Sequence, residues 1–311
     1  MTIGIRTKVI LGLAVVSLVW GSTWLAIKIG LRTVPPILSA SLRFLIAAGL
    51  LGVLLHYRGT NISKDSQFWR LAIFLSLLSF SIPFSLVYWG QNRIPTSLAS
   101  ILFAIFPFWV AFFSHLRLPN EPMTLAKGLG VVSGFAGIVV IFSSELTLAT
   151  SFAEWGMAAI VASAIMQAFA LVILKKEGKG IDVVSLNFAS MLISGCILFA
   201  FSMIVETFTH LEFGTDAILS LLYLATFGSV LTFVTYFWLV KHVEVVLLSL
   251  TAFVTPIIAV VLGTIVLNEQ LAPQVLTGSV LVLSGILLAN APDLLDVLKR
   301  GKALLWEEER S

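Results

Sequence analysis

Three residues near the end of the first apolar run have types and spacing suited to binding a small molecule. Trp20, Trp24 and Lys28 are four residues apart, so on a helix they share one face. Two indole rings followed by an ammonium group would form an aromatic wall with a cation at its outer end. The alternative is simple packing, with Lys28 extending its amine to the membrane surface. Trp20 favours the first interpretation, because it lies near the middle of the run, away from the interface where tryptophan usually occurs.

Arg43 is the one basic residue well inside an apolar run. A charge about 10 Å below a membrane surface costs a few kcal/mol unless it is paired or hydrated. We therefore expect Arg43 to face the interior of a helix bundle, where its guanidinium would anchor a substrate carboxylate or form part of a gate. The alternative is a structural hydrogen bond to carbonyl groups at a helix end.

Four uncharged polar residues at or near membrane depth complete the predicted substrate site: Tyr88, Gln167, Asn187 and Tyr236. Buried amides and phenols need hydrogen-bond partners, so these side chains should face protein or a cavity rather than lipid.

Two prolines are predicted hinges. Pro107 and Pro256 fall inside apolar runs, where proline removes a backbone hydrogen bond and kinks a helix. They occupy matched places in the two halves of the chain, so a paired hinge would let each half bend.

The elements that must position these residues are ten apolar segments of roughly 18–25 residues, and a helix of about 20 residues crosses a hydrocarbon core of ~30 Å. With 59% hydrophobic and 11% charged residues, the chain lacks the surface of a water-soluble protein. The sequence therefore predicts an all-α integral membrane protein. Its ten transmembrane helices are expected at 9–27, 37–55, 69–89, 97–115, 123–142, 153–174, 185–205, 215–239, 245–266 and 272–291.

The basic residues fall almost entirely in every second connection. Fifteen of the 19 Lys and Arg residues lie on the side of the N-terminus, three lie on the other side, and Arg43 is inside a helix. Basic residues are enriched in the short loops that stay in the cytoplasm. We therefore predict a multi-pass protein of the inner or plasma membrane with both termini in the cytoplasm. Residues 293–311 would form a cytoplasmic polar tail.

An internal repeat divides the chain into two halves. Asn120-Glu121, Gly130 and Gly137-Ile138 recur 148 residues later as Asn268-Glu269, Gly278 and Gly285-Ile286, and Trp89 and Pro107 recur 149 residues later as Trp238 and Pro256. Each half would hold five helices, an odd number, so the second half enters the membrane upside down relative to the first. We predict two inverted five-helix repeats, residues 1–148 and 149–292, an architecture typical of secondary transporters with a midplane substrate site.

Two features of the repeat have simpler expected roles. Glu121 and Glu269, at equivalent helix ends, are expected to act as helix caps. The glycines of the fifth and tenth helices allow close helix packing, either within the bundle or at the face of a homodimer.

With these motifs, the chain resembles the ten-helix EamA-type permeases of the drug/metabolite transporter superfamily. The resemblance extends from about residue 9 to 291 and rests on Trp20-Gly21-Ser22-Thr23-Trp24 with Lys28, Pro35-Pro36 before Arg43-Phe44, and the paired Asn-Glu and Gly-Ile motifs. It implies an exporter or exchanger of small metabolites, such as amino acids, sugars or drugs, with a central cavity and alternating access. The second half departs from the pattern at Ile165-Met166-Gln167-Ala168, where no tryptophan matches Trp20.

Other classes of function fit the sequence less well. A net charge of +3 spread over the loops gives no basic stripe for nucleic acid. The single cysteine, Cys196, excludes an intramolecular disulfide and a multi-cysteine metal site, and we expect no metal or other cofactor. We find no paired-acid, zinc or Ser–His pattern of a membrane-embedded enzyme. A channel or a non-transporting receptor stays open, although matched prolines favour two moving halves.

The expected function is secondary transport of small organic metabolites, most of all amino acids or similar amphipathic solutes. The expected partners are that solute and the lipid bilayer. Sugar-phosphate or nucleotide-sugar antiport and multidrug export are the alternatives. No Asp or Glu lies deep in a predicted helix, which argues against proton coupling through a buried acid.

Overall fold

The computed structural model describes residues 5–118, 123–145, 153–242 and 245–300, and within them every regular element is helical. We number ten helices in chain order. Helices 1 to 5 are Ile5–Gly30, Pro36–Tyr57, Ser66–Gln91, Thr96–Arg117 and Leu125–Glu145. Helices 6 to 10 are Ala153–Glu177, Val183–Val205, residues 215–242, Val245–Leu267 and Pro273–Arg300.

The prediction of an all-α membrane protein is confirmed. Nine helices of the described ranges are long and apolar enough to cross a membrane. The remaining one is helix 9, in which the apolar stretch Thr251–Leu267 is shorter. Helix 9 as a whole has 23 residues, about 35 Å at 1.5 Å per residue, which also suffices to cross a bilayer.

The chain end differs from the expectation. Helix 10 continues to Arg300, so the first part of the predicted polar tail is helical. Residues 301–311 lie outside the described residues, and so do Asn120 and Glu121 of the first Asn-Glu pair.

The bundle has two faces. The near face is the end of the bundle at which helix 1 begins, and the far face is the end at which helix 1 terminates.

Helices 3 and 8 each contain a wider, π-helical turn at mid-length, at Ser76–Ser81 and Thr226–Leu231. In helix 3 the cause is Pro83, which has no N–H and whose ring clashes with the carbonyl four residues earlier; the wider turn relieves both problems. Helix 8 has no proline here, but it has Gly228. Such turns expose backbone carbonyls to other partners, and one of them becomes part of the site below.

The two predicted hinge prolines differ in their surroundings. Helix 4 consists of Thr96–Phe103 and Phe106–Arg117, and Pro107 lies in the first turn of the second part, a position that tolerates proline. Pro256 lies inside the uninterrupted helix 9. Helix 4 is therefore broken at its proline, whereas helix 9 continues through it.

Helices 5 and 10 pack backbone to backbone. A Cβ atom added to Gly130 would lie 2.5 Å from the Gly285 carbonyl oxygen, and one added to Gly137 would lie 2.5 Å from the Gly278 carbonyl oxygen. Both distances are far below van der Waals contact, so only glycine fits. Of the two locations expected for these glycines, the structure places them within the bundle.

Candidate functional site

A cavity of about 540 Å³ lies among the helices. Its inner part is formed by Trp20, Trp24 and Arg43 at the middle of the bundle. Its other end reaches the near face, where Lys127 and Lys175 lie on the terminal turns of helices 5 and 6. The volume lies within the ~300–1,000 Å³ typical of sites for small organic molecules.

Aromatic rings form one wall of the cavity. The Trp20 ring centroid is 5.6 Å from that of Phe233 and 4.8 Å from that of Tyr236, and the Trp24 centroid is 5.5 Å from that of Phe103. Such contacts hold the rings in fixed orientations. The wall therefore offers a rigid apolar surface for a flat or apolar group of a solute.

The cavity lining also has a polar part, which consists of hydroxyl, amide and basic groups distributed along the cavity. The uncharged polar lining residues include Thr23, Ser79, Ser100, Gln167, Thr251, Thr255 and Asn290. The charged lining residues in the described ranges are Arg43, Lys127 and Lys175, and no acidic residue is among them. The described part of the cavity lining is thus amphipathic, and its charged side chains are basic.

Arg43 is held by neutral groups. Its Nε atom donates to Ser229 Oγ at 2.8 Å, and its Nη2 atom donates to the Gly228 carbonyl oxygen, also at 2.8 Å. Its Nη1 atom donates to the Tyr88 hydroxyl at 3.5 Å, and its Cζ atom lies 4.9 Å from the centroid of the Phe84 ring. Gly228 and Ser229 belong to the π-helical turn of helix 8. That turn therefore fixes the guanidinium at the edge of the cavity, where Arg43 is only 2% exposed.

Lys28 belongs to the closure of the far face rather than to the cavity. Its ammonium donates to the carbonyl oxygens of Gln91 at 2.8 Å and of Ile94 at 3.0 Å. The Gln91 side-chain amide in turn donates to the Trp24 carbonyl oxygen. These bonds connect the end of helix 1 to the end of helix 3 directly above the aromatic wall.

Glu269 closes the far face beside Lys28. Its carboxylate accepts hydrogen bonds from the Thr96 N–H at 2.7 Å, the Ser97 N–H at 2.9 Å and the Ser97 hydroxyl at 2.6 Å. It thereby caps the start of helix 4, whose first N–H groups lack partners within the helix. Asn268 turns the chain toward helix 4 with a φ of 55°. A Cβ atom on Gly263 would lie 2.5 Å from the Glu269 carboxylate, so glycine makes room for the cap.

A second long-range cap lies on the same face. Glu206 follows helix 7, and its carboxylate accepts from the N–H groups of Ile37 at 2.7 Å and Leu38 at 2.8 Å, at the start of helix 2. The Ser202 hydroxyl donates to the same carboxylate at 2.7 Å and orients it. Both acids come from helices 6 to 10, and both capped helices are among helices 1 to 5. These two caps therefore join the two sets of helices at the far face.

Five of the predicted substrate-binding residues line the cavity: Trp20, Trp24, Arg43, Gln167 and Tyr236. Both predicted hinge prolines line it as well. The structure thus brings together residues from helices 1, 2, 4, 6, 8 and 9 around one space.

The other three predicted residues lie outside the cavity lining. Lys28 is in the far-face closure described above, and Tyr88 is fully buried beside Arg43. Asn187 is fully buried in helix 7, where its amide donates to the Val183 carbonyl oxygen at 2.9 Å. Tyr88 therefore contacts Arg43 rather than the cavity.

The long-range caps were not found by sequence reasoning. Glu206 was not singled out, and Glu269 was expected to cap a helix without indication of which one. A signal was present, because helices 2 and 4 begin after Pro35 and Pro95, which have no side-chain acceptor for the first N–H groups. Such helix starts require an acceptor from elsewhere.

Three known proteins are similar to this chain along most of its length, and two of them are named as transporters. "Uncharacterized transporter YoaV" of Bacillus subtilis is 29% identical over 279 residues, which are 90% of this chain and 95% of YoaV. "Uncharacterized inner membrane transporter YedA" of Escherichia coli K12 is 30% identical over 257 residues, 82% of this chain and 81% of YedA. "Protein PagO" of Salmonella typhimurium is 30% identical over 245 residues, 79% of this chain and 80% of PagO.

A solved crystal structure has the same fold. It superimposes with a TM-score of 0.69 over 92% of this chain and 98% of the matched chain, at 18% sequence identity. The sequence profile of the EamA-like transporter family matches residues 7–143 and again residues 154–291. With its apolar helices and central cavity, the chain therefore belongs to the EamA-like transporter family and is a multi-pass membrane transporter.

Proposed function

We propose that the protein is a secondary transporter, an exporter or exchanger, of small organic metabolites, in particular amino acids or similar amphipathic solutes. One observation carries this proposal: a cavity with an aromatic wall and polar groups reaches the near face, and a layer of hydrogen bonds closes it at the far face.

The geometry of the cavity suggests roles for four of its lining residues. The ring faces of Trp20 and Tyr236 would contact the apolar part of the solute. Gln167 donates to Ser163 at 3.1 Å, and its amide oxygen would accept from a solute. Arg43 would attract the carboxylate. A site with a few placed polar groups on an apolar wall is typical of small-molecule recognition.

Transport would proceed by alternating access. In the conformation described here the cavity is accessible at the near face, which we assign to the cytoplasm from the distribution of basic residues. Opening of the far face would require the Glu269 and Glu206 caps to separate from helices 4 and 2. Pro107 and Pro256, which line the cavity on helices 4 and 9, would allow those helices to bend. Because no acidic side chain lines the cavity in the described ranges, we propose exchange or facilitated diffusion rather than proton coupling through a cavity carboxylate.

Counterflow in proteoliposomes tests the proposal. Vesicles holding the purified protein are preloaded with a mixture of unlabelled amino acids, and uptake of each labelled amino acid is measured without any ion gradient. We expect transient accumulation of one class, the apolar or aromatic amino acids. A folded protein that accumulates none of them would contradict the proposed substrate class, and sugars, nucleosides and drugs would then be tested.

A pair of double variants links counterflow to the cavity. Trp20→Ala with Arg43→Ala should abolish accumulation, because it removes part of the wall and the inner charge. The matched control is Trp155→Ala with Arg58→Ala, since both of these side chains are exposed, Trp155 by 62%, and neither lines the cavity. Retained counterflow in the first variant would exclude these residues from the substrate site.

A further inference from the structure

We infer that the cavity ranks its substrates by net charge and binds amphipathic organic anions, solutes with an apolar or aromatic group and a carboxylate that no ammonium balances, more tightly than amino acids of equal apolar size. The inference rests on the proposed function and specifies the substrate class of the same cavity. The charges of the cavity indicate this substrate class, whereas membership of the family leaves the class undetermined.

Among the described residues that line the cavity, every charged side chain is basic. Lys127 in the first turn of helix 5 and Lys175 near the end of helix 6 line the near-face mouth, and Arg43 lies at the inner end. A smaller adjoining cavity at this face, of about 330 Å³, adds Lys179. A cleft with one sign of charge and low-dielectric walls concentrates solutes of the opposite sign. The Lys127 ammonium at the mouth should therefore attract anions and repel cations.

The inner end of the cavity also favours an anionic solute. The contacts of Arg43 shown above are with a hydroxyl, a carbonyl oxygen, a phenol and aromatic rings, all of them neutral. This guanidinium is 2% exposed, and its partners among the described residues stabilise it by hydrogen bonds and ring faces but bring no opposite charge. A carboxylate bound in the cavity would supply the missing charge.

The ammonium of an amino acid meets a less favourable environment. Among the described lining residues it would find hydroxyls, amides and ring faces, but no carboxylate. Ring faces attract cations, although more weakly than a desolvated acid does. A zwitterion should therefore bind with an affinity between those of an anion and a cation of equal apolar size.

Three probes that differ mainly in charge test the inference: 3-phenylpropanoate, phenylalanine and phenethylamine. They share a phenyl group and a short carbon chain, and at pH 7 they are an anion, a zwitterion and a cation. Binding to the purified full-length protein is measured by calorimetry at low and at high salt. We expect the anion to bind tightest, the zwitterion next, and the cation at least tenfold more weakly than the anion.

Variants at the mouth identify the source of the preference. Lys127→Gln with Lys175→Gln should weaken 3-phenylpropanoate binding about three- to tenfold at low salt and less at high salt, and should leave phenylalanine within about twofold. The matched control is Lys176→Gln with Lys64→Gln, two exposed lysines outside the cavity lining, which should leave all three affinities unchanged.

The outcomes separate this inference from the proposed function. Tightest binding of phenylalanine or phenethylamine, equal binding of the three probes, or binding of none would overturn the charge inference. Binding is measured without transport, so a failure of counterflow would overturn the proposed function alone.

Discussion

Replacement of Glu269 by glutamine should shift the protein toward conformations with an open far face. The carboxylate accepts three hydrogen bonds at the start of helix 4, from the N–H of Thr96 and from the N–H and hydroxyl of Ser97. Glutamine has one carbonyl oxygen and one NH₂ group, so at least one of these donors loses its acceptor. The substitution also removes the negative charge that attracts Lys28.

The size of the shift follows from the number and type of bonds. A hydrogen bond to a charged group contributes about 1.5–3 kcal/mol. Glu269 is half-buried, so we take the lower part of this range and expect a loss of about 2 kcal/mol in the closed state. In the open state water would hydrate the same groups, and the substitution would have little effect there. At 1.4 kcal/mol for each factor of ten, the ratio of open to closed protein should rise about thirtyfold.

A cysteine inside the cavity reports this ratio. Ser100 lines the cavity next to the capped turn of helix 4, and Ser100→Cys in a Cys196→Ala background gives one thiol there. A membrane-impermeant maleimide applied from the far side of oriented vesicles should label it up to about thirtyfold faster after Glu269→Gln. The control is Glu212→Gln, which removes an exposed acid at the same face. Equal labelling rates with and without Glu269→Gln would refute the role of the cap.

Three further predictions concern packing, binding and motion. Gly130→Ala should lower the free energy of unfolding by about 1–3 kcal/mol, because its Cβ would meet helix 10, and thermal unfolding in detergent should register this. The control is Gly128→Ala, which has nothing within 4 Å and should not lower the melting temperature. Equal melting temperatures of the two variants would contradict the close packing of helices 5 and 10. Trp20→Ala should weaken substrate binding about tenfold by calorimetry, since it removes a face of the aromatic wall, and unchanged affinity would exclude that contact. Pro107→Ala and Pro256→Ala should each slow counterflow several-fold with substrate affinity retained, and unaltered rates in both would disprove the hinges.

The fold was predictable because the hydrocarbon core imposes a simple condition on the sequence. A segment that crosses it must be apolar for about 20 residues and must satisfy its own backbone hydrogen bonds, so long apolar runs indicate helices directly. The π-helical turns that interrupt helices 3 and 8 were harder to predict. Pro83 indicates a disturbance in helix 3, but nothing as specific as a proline marks the π-helical turn around Gly228 in helix 8.

The candidate site was predictable where depth and helical spacing decide the position of a residue. Trp20, Trp24 and Arg43 were singled out by these criteria, and all three line the cavity. The far-face closure depends instead on contacts between distant segments. Glu269 meets helix 4 only because Asn268 adopts a positive φ and Gly263 leaves space, and neither condition can be recognised from the sequence pattern alone.

Trans-stimulation of efflux tests the central claim, alternating access through one cavity, most directly. Proteoliposomes are loaded with the labelled solute identified by counterflow, and its efflux is followed with and without the same unlabelled solute outside. A carrier that reorients faster when occupied predicts efflux several-fold faster with external solute. Efflux that is unchanged or slowed by external solute would contradict alternating access and indicate a channel.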